Sequence, residues 1–148
     1  MTSKAKSVPG EMVCNFSAIR HASRHMTRYF DTCIAHLGLR ANQYGILRLI
    51  CRNGGISINA LAALTVMDRT TVGRAIQPLE RDGLISILVD PSDKRSRLLH
   101  LTEAGSALVE RGHLVWVEAQ RTFETKYGAE EARMMRAAMT QVVATELA

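Results

Sequence analysis

Arginine, glutamine and threonine can all address the edges of DNA bases, and Thr70, Arg74, Gln77 and Arg81 recur at steps of four, three and four residues. On a helix that spacing puts them on one face. Arginine makes paired hydrogen bonds to guanine O6 and N7, glutamine can do the same to adenine, and threonine offers thymine a hydroxyl and a methyl group. Arg69 and Thr71 fall at the start of the same segment, where helix amides and a short polar side chain can take a phosphate. Val72, Ala75, Ile76 and Leu79 fall on the opposite side. A plain amphipathic helix with a solvated charged face has the same pattern, so the neighbouring segments must separate the two readings.

A second basic cluster, Asp93-Lys94-Arg95-Ser96-Arg97, follows the turn chemistry of Asp90-Pro91-Ser92-Asp93. At the tip of a hairpin, Lys94 and Arg95 can reach a minor groove, whose negative potential attracts arginine, while Asp93 holds or orients Arg95. A merely solvated turn would also be charged.

Three further groups of residues carry chemistry. Arg20, Arg24 and Arg28 form an i, i+4 row of like charge that calls for an acidic neighbour. One reading joins the row to Tyr29, His113 and Trp116 as a site for an anionic aromatic ligand; the other pairs it with acidic residues of the C-terminal helices. Cys14 lies near a helix start, where the macrodipole can lower a thiol pKa and make a redox sensor, whereas Cys33 and Cys51 read as core. His21 and His25 have metal-binding spacing, but no nearby cysteine or carboxylate completes a set. Neither a metal nor a cofactor is called for. No nucleophile–base pair or phosphate loop can be assembled, which argues against an enzyme.

The elements that must position these residues are legible. Residues 11–37 lack proline and glycine, and Phe16, Ile19, Ser23, Met26, Phe30, Cys33 and Leu37 make one helical stripe. Gly38 ends it. A second helix is expected over residues 41–52, with Tyr44, Leu47 and Ile50 or Cys51 inward, and Asn53-Gly54-Gly55 turns the chain. Residues 58–65 read as a short helix, and Asp68 caps a longer one reaching Arg81. Two helices joined by a tight turn make a helix-turn-helix. Strands at residues 84–89 and 97–101 follow as a hairpin wing. Thr102 caps a helix of about 24 residues to Lys126, and a last helix covers residues 129–147, with Ala132, Met135, Met139 and Val142 in a row.

The expected fold is mainly α with a small β-hairpin wing. Residues 1–10 form a disordered tail, 40–101 the DNA-binding winged helix-turn-helix, and 11–39 with 102–148 the flanking helices. Those flanking stripes exceed what a small core can cover, so a second subunit is expected over them. The charge follows the same division, with nine basic and five acidic side chains in residues 40–101 against five and seven in residues 102–148. No apolar run spans a bilayer and MTSKAKSVPG lacks the apolar stretch of a signal peptide, so a cytoplasmic location is expected. Three cysteines without CxxC spacing fit a reducing compartment.

From Phe16 to Leu108 the chain resembles the MarR-type multiple-antibiotic-resistance regulators. The resemblance rests on Leu39-Arg40-Ala41-Asn42-Gln43-Tyr44, Ile58-Asn59-Ala60-Leu61-Ala62 and Met67-Asp68-Arg69-Thr70-Thr71-Val72-Gly73-Arg74. It continues through Leu79-Glu80-Arg81-Asp82-Gly83-Leu84-Ile85, Asp90-Pro91-Ser92-Asp93-Lys94-Arg95-Ser96 and Leu101-Thr102-Glu103-Ala104-Gly105. It implies a triangular homodimer with interlocked terminal helices, residues 68–81 in the major groove, Arg95 in the minor groove, and a palindromic operator. Ser57 and Asn59 join the expected DNA contacts. Such regulators are usually repressors released by a small ligand, bound between the dimerisation helices and the winged domain, or by thiol oxidation. Gly73 stands where the family usually has Thr or Ser. A winged helix that docks only on an acidic protein is the rival reading.

Overall fold

The computed structural model describes residues 14–148. The expected tail at residues 1–10, and the helix start expected at Glu11, lie outside them. The elements run α1 (Asn15–Ile34), a 3-10 turn (Ala35–Leu37), α2 (Ala41–Asn53), β1 (Ile56–Ser57), α3 (Ile58–Thr65), α4 (Arg69–Arg81), β2 (Ile85–Asp90), β3 (Asp93–Leu101), α5 (Glu103–Tyr127) and α6 (Ala129–Ala144).

Each boundary has a local cause. Gly38 takes a left-handed backbone (φ 73°) and ends the turn after α1. Asp31 of α1 then caps the next helix across the corner, its Oδ1 accepting the Ala41 N–H at 2.7 Å, while the Gln43 side chain accepts the Arg40 N–H at 2.9 Å. Ser57 and Thr102 cap α3 and α5 by accepting from Ala60 and Gly105, each at 3.1 Å.

The core lies in the middle of the chain. Leu47, Leu61, Val72, Leu79 and Leu99 have no exposed surface, and Ile50, Ile76, Ile85 and Ile56 join them. These residues come from α2, α3, α4 and all three strands, so the helix-turn-helix and the wing share one apolar centre.

Three features differ from the sequence expectation. The sheet has a third strand, Ile56–Ser57, paired antiparallel with β3 through Ile56↔Leu99 and Ser57↔Leu98, giving the order β1-β3-β2. Two residues carry too little alternation to announce a strand. The wing strand β3 begins at Asp93 rather than Arg97, because the charged tip pairs back onto β2 with a register shift at Val89/Asp90. The last helix stops at Ala144 rather than Leu147.

The flanking helices leave apolar surface open. Phe16 is 68% exposed, Leu114 73% and Val143 65%, with Ile19, Val117, Met134, Met139 and Val142 also exposed. Of the row expected to be apolar on the last helix, only Ala132 is buried within one protomer. No helix among the described residues is long and apolar enough to cross a membrane.

Candidate nucleic-acid interface

The recognition helix is built from its cap inward. Asp68 accepts the Thr71 N–H at 2.8 Å and the Thr71 hydroxyl at 2.7 Å. Both bonds favour the ionised carboxyl and hold the Asp68 pKa below its ordinary 3.8, the hydroxyl contributing most. Val72, Ile76 and Leu79 bury one side of α4 against the core, which turns Arg69, Thr70, Arg74, Gln77 and Arg81 to solvent. Pro78 lies within the helix without ending it, since it removes only one bond in the last turns.

Thr71 departs from its expected role. Its hydroxyl and amide are both committed to Asp68, so it shapes the start of the helix instead of offering a free group to a phosphate.

The turn before α4 is tight. Val66 adopts φ 54°, ψ 38°, and its N–H reaches back to the carbonyls of Ala62 and Ala63. A β-branched residue in this left-handed region is strained.

At the wing, Asp90 accepts from the Ser92 N–H (2.9 Å) and hydroxyl (2.7 Å), which tightens the tip. Asp93 does orient Arg95, but through the backbone: its Oδ1 accepts the Arg95 N–H at 3.0 Å. No ion pair forms between the two side chains, so the guanidinium stays free for another partner.

Helix-turn-helix and wing meet across a polar groove of about 260 Å³, lined by Ser57, Ile58, Asn59, Arg69, Asp93, Arg95, Ser96 and Arg97. It brings together five of the residues expected to touch DNA: Ser57, Asn59, Arg69, Asp93 and Arg95. Thr70, Arg74, Gln77 and Lys94 are exposed but do not line it. Among the described residues, no carboxylate lies within 4.0 Å of Arg69, Arg74, Arg95 or Arg97. Unpaired cations at the mouth of a polar groove suit phosphate oxygens. Arg97 belongs to the basic hairpin without being an expected DNA contact; its position two residues after Arg95 puts it on the same strand face.

The expected effector residues do not assemble. A cavity of about 290 Å³ opens between α1, α2 and α5, lined among others by Met26, Phe30, Cys33, Tyr44, Arg48 and Trp116. Only Trp116 of the expected set lines it. Arg20 instead lies over the Phe16 ring at 5.4 Å, and Arg28 and Tyr29 border a separate groove with Phe123 and Lys126. The Tyr29 hydroxyl donates to the Ala119 carbonyl at 2.9 Å, and His113 stacks on Trp116 at 6.2 Å without lining the cavity. The row's pairing with C-terminal carboxylates is absent within the protomer as well. Glu118, Glu124 and Glu130 pair with Arg121, Arg136 and Arg133.

The cavity's own cation is Arg48, whose guanidinium sits 4.3 Å from the centre of the Trp116 ring. Arg48 follows the inward-facing Tyr44 by four residues, a spacing that could have drawn attention to it. Cys14 is exposed at the start of α1 and borders neither cavity nor groove. Hydrogen bonds from the Ser17 backbone and side chain hold its thiol below the ordinary 9.0.

A capped recognition helix, a two-stranded wing and a cationic groove between them define a winged-helix DNA-binding protein. The model of the MarR family matches residues 37–96, from the end of the 3-10 turn after α1 to the wing tip. The homoprotocatechuate degradative operon repressor of Escherichia coli is 25% identical over 127 residues, covering 86% of each chain. A Thauera aromatica protein assigned to regulation of the hcr operon is 35% identical over 74 residues; that match covers 50% of this chain and 45% of the other. Chain coverage thus falls to about half the length of some relatives. The MepR–DNA complex of Staphylococcus aureus superimposes with a TM-score of 0.76 at 25% identity, over 88% of this chain and 97% of that one. Over residues 37–96 the chain is similar to the MarR family of winged-helix transcriptional regulators, and its fold is theirs.

Proposed function

We propose that the protein is a homodimeric, cytoplasmic repressor that binds a palindromic operator and leaves it when a small anionic aromatic molecule occupies the cavity between α1, α2 and α5. Residues 40–101 contact DNA. Residues 11–39 and 102–148 join the two subunits, covering the open apolar faces of α1, α5 and α6.

Arg74, Gln77 and Thr70 read bases from the exposed side of α4, Arg69 holds a phosphate, and Arg95 with Lys94 enters the minor groove. One observation carries this reading: Arg69, Arg95 and Arg97, none of them paired with a carboxylate, line the groove between α3, α4 and the wing. With no carboxylate pairing them within the protomer, these cations are open to the phosphates of DNA.

The effector class rests on two supports. The cavity is walled by Phe30, Trp116 and Tyr44 with one cation, Arg48; and the E. coli relative is named for an operon degrading an aromatic acid.

Footprinting on the promoter of the protein's own gene, with and without aromatic acids, tests both halves. Two symmetric protected half-sites one helical turn apart, lost on adding an acid, are expected. Binding that ignores sequence would sink the repressor reading, and protection that persists with every acid would sink the effector.

A further inference from the structure

A groove of about 570 Å³ runs between α1 and the C-terminal end of α5, and it shares only Met26 with the α1–α2–α5 cavity. Its wall carries three rings, Tyr29, Phe123 and Tyr127, and three basic groups, His25, Arg28 and Lys126. No carboxylate lines it, and among the described residues none of the three basic groups has one within 4.0 Å. Glu118, whose charge bears on the Tyr29 hydroxyl, is held by Arg121 at 2.6 Å.

The rings form a fixed platform. Phe123 and Tyr127 stack with centroids 5.2 Å apart and planes 18° from parallel, yet Tyr127 is 50% exposed. Tyr29 is anchored by its hydroxyl, which donates to the Ala119 carbonyl at 2.9 Å.

Both helices turn this groove away from the apolar surface a second subunit would cover. At 3.6 residues per turn, His25 and Arg28 lie about 120–180° around α1 from the exposed Phe16 and Ile19. Phe123 and Lys126 lie about 120–180° around α5 from the exposed Leu114 and Val117. A partner seated on those stripes leaves the groove open.

We propose that this groove is a binding site for a nucleoside phosphate. The base stacks on the Phe123–Tyr127 platform, as bases do on exposed aromatic side chains. Arg28 and Lys126, with His25 beside them, take the phosphate. Three cations exceed what one carboxylate needs, whereas a phosphate monoester carries about −1.5 to −2 charges and three acceptor oxygens. The operator contacts and the α1–α2–α5 cavity use none of these six side chains, so this site stands or falls apart from both readings.

Calorimetry on the full chain decides it, with adenosine 5′-monophosphate as the probe and adenosine and inorganic phosphate as its two halves. Wild type should bind the nucleotide at least tenfold more tightly than either half. Arg28→Gln and Tyr127→Leu should each weaken it about tenfold, the worth of one charge-assisted hydrogen bond or one stacked base. Arg28, Lys126 and Tyr127 are all exposed, so Lys126→Gln is available should either variant melt below wild type. Arg69→Ala, in the DNA-facing groove, should bind the nucleotide as wild type does.

No heat with the nucleotide overturns the inference. Phosphate binding as tightly as the nucleotide also overturns it, because the rings would then contribute nothing. Nucleotide binding that survives the changes in this groove and is lost in Arg69→Ala belongs to the DNA-facing groove, and overturns it as well.

Discussion

Gly105, in the first turn of α5, lies directly against the carbonyl oxygen of Leu84, the same oxygen that accepts the Thr102 N–H at 3.1 Å. A Cβ at Gly105 would overlap that oxygen, and a backbone oxygen already tied into a bond cannot swing aside. The contact sets the base of the wing on the start of α5. Gly105→Ala should therefore destabilise the fold by about 1–3 kcal/mol, as overpacking does. Urea denaturation measures it, and an unchanged midpoint would show that the wing base shifts freely.

The cap of the recognition helix carries a pH signature. Thr71 bonds stabilise the ionised form of Asp68 and hold its folded pKa below 3.8. A depressed carboxyl pKa contributes stability that is fully present above the unfolded value and is lost as pH falls through the folded one. Asp68→Ala should thus lower the melting temperature by a constant margin between pH 7 and pH 5, and the gap should narrow below about pH 3.8. Melts across that range check it; a gap that widens in acid contradicts the cap's charge as its source.

Base-reading and phosphate-holding residues should separate by their salt response. Arg74→Ala should weaken operator binding about 5- to 150-fold and relax the preference at one base pair. Arg69→Ala should weaken all sequences alike and reduce the salt slope by about 1. Mobility shifts at several salt concentrations on operator and scrambled DNA distinguish them. Equal effects of both variants on both DNAs would remove Arg74 from the reading set.

The recognition helix, its cap and the wing were legible because each has a local signal: an apolar stripe, Asp68 before it, and turn residues between β-rich runs. The exposed polar face of α4 followed, since exposure there is the complement of its buried stripe. The lining of the cavity between α1, α2 and α5 was not legible. Arg20, Arg24 and Arg28 share a face of α1 by periodicity, but which face meets α5 depends on packing between distant segments, which no local spacing encodes. Thr71 shows a second limit. A hydroxyl three residues after Asp68 looks available in sequence and is consumed by the cap in space.

Val66 holds a left-handed backbone with φ 54° while 72% exposed, so it is strained without compensating burial. Glycine adopts that region freely. Relief of strain of about 1–2 kcal/mol, offset in part by glycine's larger unfolded-state entropy of about 0.5–1 kcal/mol, leaves Val66→Gly slightly stabilising. A rise in melting temperature without change in operator affinity is expected. A fall would mean that Val66 packs on something, such as a second subunit or DNA.

Gly73 presents the opposite case, a glycine in the helix interior whose backbone is ordinary and where an added Cβ would meet no atom within 4 Å. Nothing inside the protein requires its smallness, and interior glycine costs about 0.5–1 kcal/mol relative to alanine. Gly73→Ala should therefore raise the melting temperature by about 2–4 °C. The DNA side then decides what the glycine is for. It lies between Thr70 and Arg74 on α4, where a missing side chain permits closer approach of the helix backbone to a ligand. If the alanine variant gains stability and holds operator affinity within about threefold, a change worth less than about 1 kcal/mol, the glycine is a tolerated weakness. If it gains stability but loses operator binding steeply while scrambled DNA binds as before, the open space at Gly73 belongs to the specific interface.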